Sequence, residues 1–202
     1  MRKALIAAGT AACLALAGCG TADDSAAREQ AATGPQTAFM QNVESKCGRA
    51  FRGSVAGGNA QLAGKELVLS IGDCAAGGPV TMALHANIGP LQVSPSEEVW
   101  DRSRRFSLMR ADNGLTLNIA KQAEDGTPGA LNGTTATSDG DSSTTQQRFA
   151  IAGADTPLII DMGSAAATLT VPDVGEQQGF TVTFDYSDRI AAPPAAWGAE
   201  GG

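Results

Sequence analysis

Residues able to do chemistry are sparse in this chain, and the densest group is Trp100, Asp101, Arg102, Arg104 and Arg105. An indole beside guanidinium groups binds anionic or planar ligands through cation–π contacts and charge-assisted hydrogen bonds, so Trp100, Arg102 and Arg104 form a candidate ligand site. The competing reading is arginines solvated at a strand start and paired with acidic neighbours. Two carboxylate pairs, Glu124-Asp125 and Glu97-Glu98, are the material for general acid–base hydrolysis. Adjacent residues in a strand point to opposite faces, however, and Glu97-Glu98 follows Ser94, Pro95 and Ser96 as an exposed turn would. His85 is the single histidine; a lone strand histidine is more often a surface or satisfied core residue than a catalyst. No Gly-x-Ser-x-Gly elbow, Ser-x-x-Lys, His-Glu-x-x-His or phosphate-binding glycine loop occurs, so no familiar catalytic frame is present.

Metal and cofactor chemistry find little to work with, and no cofactor is expected. Asp139-Gly140-Asp141 invites a calcium reading, but an EF-hand loop starting at Asp139 needs Glu at its twelfth position, where Ala150 stands. The four cysteines are Cys13, Cys19, Cys47 and Cys74. They show no Cys-x-x-Cys spacing, and the two in the body of the chain plus one histidine fall short of a zinc set.

Near the N-terminus, Arg2 and Lys3 precede an apolar run from Ala4 to Ala17, and Leu16-Ala17-Gly18-Cys19 follows. The run is too short for a lasting membrane span. This segment resembles the lipobox of bacterial lipoproteins. The resemblance implies a signal peptide over 1–18, lipidation at Cys19, and a membrane partner reached through the acyl chains, which anchor stably when two or more are present. Localisation in the cell envelope follows, and Gly20 in place of an aspartate leans towards the outer membrane, periplasmic face, in a Gram-negative host. With Cys13 removed and Cys19 lipidated, Cys47 and Cys74 remain in an oxidising compartment and are expected to form a disulfide.

Net charge is −7, from 14 basic and 21 acidic residues, and loss of Arg2 and Lys3 makes the remainder more acidic. Such a surface argues against nucleic acid, whose phosphates are met by Lys and Arg, and against electrostatic adhesion to anionic lipid.

The elements that must position these residues are mostly strands. Leu67, Leu69 and Ile71 alternate with polar or smaller neighbours, as do Val80, Met82 and Leu84, then Ala167, Leu169 and Val171, then Phe180, Val182, Phe184 and Tyr186. That period of two predicts one-face-buried antiparallel strands; Phe51–Val55 and Phe149–Ile151 are weaker candidates. Asn113-Gly114 predicts a two-residue hairpin loop, which sets Leu108 opposite Ile119 and Arg110 opposite Leu117. Phe106 and Leu108 then share a face with Leu115, Leu117 and Ile119. A short helix is expected after Thr37 as cap, with Phe39, Met40, Val43 and Cys47 on one face and Gly48 at its C-terminal stop.

The resulting expectation is a flexible tether over 19–36, one domain over 37–190, and a disordered tail over 191–202 into which Trp197 alone brings a large side chain. Residues 124–147, rich in Gly, Ser, Thr, Asp and Asn, read as a solvated loop. Fold class is all-β, mainly antiparallel: a small β-barrel or β-sandwich of eight or nine strands with a short N-terminal helix. The barrel is preferred because closure removes exposed edges.

Cys47-Gly48-Arg49-Ala50-Phe51-Arg52-Gly53, Leu62-Ala63-Gly64-Lys65, Asp73-Cys74, Trp100 before a strand, Gly114-Leu115-Thr116-Leu117 and Glu124-Asp125-Gly126 together resemble an uncharacterised family of bacterial secreted and lipid-anchored proteins, over residues 43 to about 186. Members carry a histidine-rich run before Glu-Asp-Gly where this chain has Asn118 to Ala123, so no metal or acid–base role of those histidines carries over. Two functions follow as expectations: a non-enzymatic envelope protein that binds a small ligand or a protein partner, and alternatively an envelope hydrolase using carboxylates near Glu124 and Asp125.

Overall fold

The computed structural model describes residues 34–91 and 94–199, the side chains of 90–98 excepted. The signal segment, Cys19 and the tether through residue 33 lie outside the described residues. Helix α1 (Pro35–Glu44) is followed by β1 (Arg49–Gly58), β2 (Leu67–Ile71), β3 (Val80–Leu91), β4 (Ser94–Ala111) and β5 (Gly114–Lys121). Then come β6 (Thr134–Thr137), β7 (Gln146–Phe149), β8 (Leu158–Met162), β9 (Ala166–Val171) and β10 (Phe180–Ile190). All ladders are antiparallel, in the order β6-β5-β4-β3-β2-β1-β10-β9-β8-β7. The two outer strands meet through a Ser138–Phe149 bridge and an Asp139 N–H to Arg148 carbonyl bond of 2.9 Å, so the ten-stranded sheet is a nearly closed barrel.

One side chain of every two points into that barrel, which is why the alternation is so regular. Leu69, Leu84, Leu108, Leu117, Ile160 and Val182 are buried in one continuous core. Strand β8 carries the same period in Leu158, Ile160 and Met162, a strand the sequence reading did not single out. Strand β6 and the first half of β7 fall in the stretch read as a solvated loop, and there Ala136 and Gln147 are buried; the candidate Phe149–Ile151 meets β7 only at Phe149. Gly/Ser/Thr composition hid them because each is only four residues long and offers too few apolar side chains for a period to emerge.

The β4–β5 hairpin keeps the expected faces but not the expected register. Leu108 pairs with Leu117 and Arg110 with Leu115, so the loop is Asp112-Asn113 and Gly114 opens β5 opposite Ala111. A two-residue slip preserves which side chains face inward. Gly114 belongs in the strand because Ser138 crosses it: a Cβ there would lie 2.6 Å from Ser138 Oγ, which accepts the Leu115 N–H at 2.9 Å.

The end of the barrel where the chain enters is plugged. Phe39, Met40 and Val43 of α1 are fully buried, Asn42 Nδ2 donates to the Met162 carbonyl, and Arg110 pairs with Glu44 at 2.7 Å. The helix is capped by Gly34 with Pro35 in its first turn rather than by Thr37, and it ends at Ser45, three residues before Gly48; proline suits a first turn whose N–H has no helical partner. Cys47 and Cys74 are bonded, with Cα atoms 5.8 Å apart, and tie the helix exit to the end of β2. Replacing both cysteines by serine is expected to lower unfolding free energy by about 3 to 4 kcal/mol, the loop-closure value for this separation, measured by urea titration; a change within about 0.5 kcal/mol would remove the bridge from the account of stability.

Candidate functional site

At the opposite end the barrel stays open, because one strand breaks its alternation there. Along β4, Phe106 and Leu108 face the core, which puts Arg104 inward at the rim. On β3, Leu84 pairs with Arg104 and Ala86 with Asp101, so three residue steps on β4 match two on β3. This bulge re-aims the chain and brings Asp101 and Arg104 into an ion pair at 2.7 Å. Burial opposes the charge on Asp101, but Arg104 and the hydrogen bond from Ser103 N–H outweigh it and hold its carboxyl below the usual range.

Arg104 pairs across the ladder with Lys121, the last residue of β5. The Lys121 ammonium donates to Gln177 Oε1 at 2.9 Å, and no carboxylate among the described residues lies within ion-pair distance of it. Burial, then the charge of Arg104, pulls its proton affinity down, opposed by the charge of Asp101. The two cations help line a cavity of about 450 Å³ whose other walls include Asn59, Gln61, Gln177 and Phe180. Phe180 is buried at the floor, Asn59 is buried and accepts the Gln61 N–H at 2.8 Å, and Glu176 sits at the exposed outer edge. Beside this cavity β1 and β10 approach closely: Gly58 has φ +96°, and a Cβ there would lie 2.4 Å from the Gly179 carbonyl oxygen.

The Trp100, Arg102 and Arg104 cluster is divided by the same bulge. Arg104 faces the mouth; Arg102 stacks on the Trp197 ring at 5.5 Å and donates to the Ala195 carbonyl at 2.9 Å; Trp100 is half-buried on the hairpin, opposite Asn87. Lys121, Asn59 and the Gln177 region were missed, since nothing local marks a polar residue at the end of an apolar strand as a rim position. The tail from Ala191, expected to be disordered, lies along β4 through Ala199: Ala196 is buried, Trp197 N–H donates to the Arg102 carbonyl, and Arg105 to that of Gly198.

The carboxylates proposed for hydrolysis stand apart from this cavity. Glu124 and Asp125 are exposed in a turn, and Thr127 N–H bonds to Asp125 at 2.9 Å and holds its carboxyl below the usual range, which keeps it ionised with no proton to give at neutral pH. For Glu97 and Glu98 only the strand backbone is described. Asp139 is engaged by the Asp141 N–H and by Arg148, and no three His, Cys, Asp or Glu side chains among the described residues form a metal-holding group.

His85 lies on the outer face of β3 and is nonetheless fully buried. Its Nε2 is 2.7 Å from Ser70 Oγ, and its Nδ1 has no hydrogen-bond partner. Burial, reinforced by the charge of Arg102 and opposed by Asp101, pushes its pKa down to about 4.

No family model, no curated protein and no solved structure matches the chain. The site therefore rests on its own geometry.

His85 makes stability depend on acid. The unfolded chain takes up this proton near pH 6.5 and the folded chain only near 4, so stability is full above about pH 6.5 and falls as pH drops towards 4, by about 3 kcal/mol at most. Urea midpoints at about pH 7 and pH 4.5 should differ less for His85→Gln than for the unaltered protein; equal differences would mean that His85 is not the responsible group.

Proposed function

We propose that this chain is a lipid-anchored protein of the bacterial cell envelope that binds an anionic ligand in the mouth of its barrel without reacting with it. The carrying observation is the Arg104–Lys121 pair at the open rim. Lys121 is a half-buried ammonium held by a neutral amide; Asp101, the nearby acid, is paired with Arg104, so a ligand carboxylate or phosphate would give Lys121 a direct ionic partner. The anchor is supported by the lipobox-like segment ending at Cys19. In a Gram-negative host, Gly20 supports the periplasmic face of the outer membrane. No observation favours the hydrolytic reading, because Glu124 and Asp125 do not line the cavity.

Two measurements test this. Palmitate labelling should mark the unaltered protein and not Cys19→Ser. In thermal melts, one or more of citrate, galacturonate and inorganic phosphate should raise the midpoint saturably, and Lys121→Gln should reduce that response at least tenfold in ligand concentration. No shift with any anion, or an equal shift in the variant, would overturn the binding site.

A further inference from the structure

A second cavity, of about 580 Å³, adjoins the first. Gln178 and Phe180 line both, so the two hollows lie on either side of the short segment that starts β10. Each falls within the roughly 300–1,000 Å³ of sites for small organic groups. Two such hollows sharing a wall suit consecutive units of a chain better than one compact molecule.

Their chemistry differs in a way that orients the chain. The first holds the cations Arg104 and Lys121 beside the amides of Asn59, Gln61 and Gln177. The second is neutral to acidic: Thr156 offers a hydroxyl, Thr181 Oγ1 donates to Thr170 Oγ1 at 3.3 Å, and Asp173 is an acceptor that already holds the Gly179 N–H at 2.8 Å. Amides and hydroxyls both donate and accept, as sugar hydroxyls do. A peptide would bind most readily by adding to a free strand edge. None is offered here, because Phe180 pairs with Gly58 on one side and Val171 on the other. A nucleic acid is disfavoured by the net charge of −7.

We infer that the mouth binds a stretch of acidic polysaccharide, with a sugar carboxylate against Arg104 and Lys121 and the neighbouring sugar in the hollow lined by Thr156, Thr170 and Thr181. This rests on the proposed anion site and extends it to a substrate class. Arg104 keeps N–H donors beyond the one given to Asp101, and Lys121 exchanges a neutral amide for an anion.

The test is calorimetric titration of the full-length protein in detergent with galacturonate from monomer to hexamer, with malto-oligosaccharides and oligoglutamates of matched length as neutral and peptidic controls. Affinity should rise at least tenfold from monomer to trimer and then level off, with both controls at least tenfold weaker than the trimer. Gly57→Trp should cancel the gain with length and leave monomer affinity unchanged, since a Cβ at Gly57 meets nothing within 4 Å and the side chain grows into the second hollow. Thr156→Trp, on an exposed loop, blocks the same hollow should the first variant fail to fold. Lys121→Gln should weaken every length alike. A monomer as tight as the hexamer overturns the chain-binding inference while leaving the anion site in place. Equal binding of oligoglutamate overturns the polysaccharide class, as does failure of every galacturonate when citrate or phosphate still binds. Failure of all anions overturns the underlying site as well.

Discussion

The pairing of β1 with β10 is the constraint on which everything else depends. It joins Ala50 to Ile190 and Gly58 to Phe180, and without it the strands form a six-stranded sheet (β6 to β1) and a four-stranded one (β10 to β7), with exposed edges at β1 and β10. Loop-closure entropy grows only logarithmically with length, about 0.6 kcal/mol per doubling, so this distant pairing is thermodynamically inexpensive once both strands exist. Its kinetic consequence is larger, because non-local strand pairing slows folding. The Cys47–Cys74 bridge acts on this problem by fixing the β1–β2 hairpin and α1 as one local unit onto which β10 can add.

Closing the barrel creates two ends that must be handled differently. Apolar side chains of α1 fill one. At the other, the bulge in β4 lengthens one wall and turns Asp101 and Arg104 towards the opening. The long β3–β4 hairpin continues past this rim, while β2 and β5 stop at it. The mouth is thus a product of unequal strand lengths together with one extra residue.

These causes explain what could be read in the sequence. The alternation in Leu67–Ile71, Val80–Leu84 and Phe180–Tyr186 is a direct image of inside and outside, so strand identity and the all-β class were legible. The choice of barrel came from the edge argument and agrees with the closed order of strands. The β4–β5 faces were legible but the register was not, because a slip of two residues leaves the pattern unchanged and only the distant Ser138 distinguishes the alternatives. Trp100, Arg102 and Arg104 looked like one cluster because an indole and guanidinium groups lie within five residues of sequence; the bulge separates Arg104 from the others. Lys121 carries no local mark, since its importance comes from facing Arg104 across a ladder.

Among the described residues several buried polar atoms lack partners, Gln147 Oε1 and Trp197 Nε1 included; the mismatches at His85 and Lys121 contrast in a way that bears on function. At His85 the neutral ring is fully buried on the outer face, with Nδ1 unpartnered; any ligand there would first have to displace neighbouring structure. At Lys121 the charged group is retained at partial burial, facing another cation, with open volume in front of it. Desolvating a charge that has no direct ionic partner works against folding, and a hydrophobic or neutral residue would close the barrel end more stably. Departures from local consistency of this kind concentrate at sites that serve binding. Of the two mismatches, only the one at the mouth is placed so that an incoming anion relieves it.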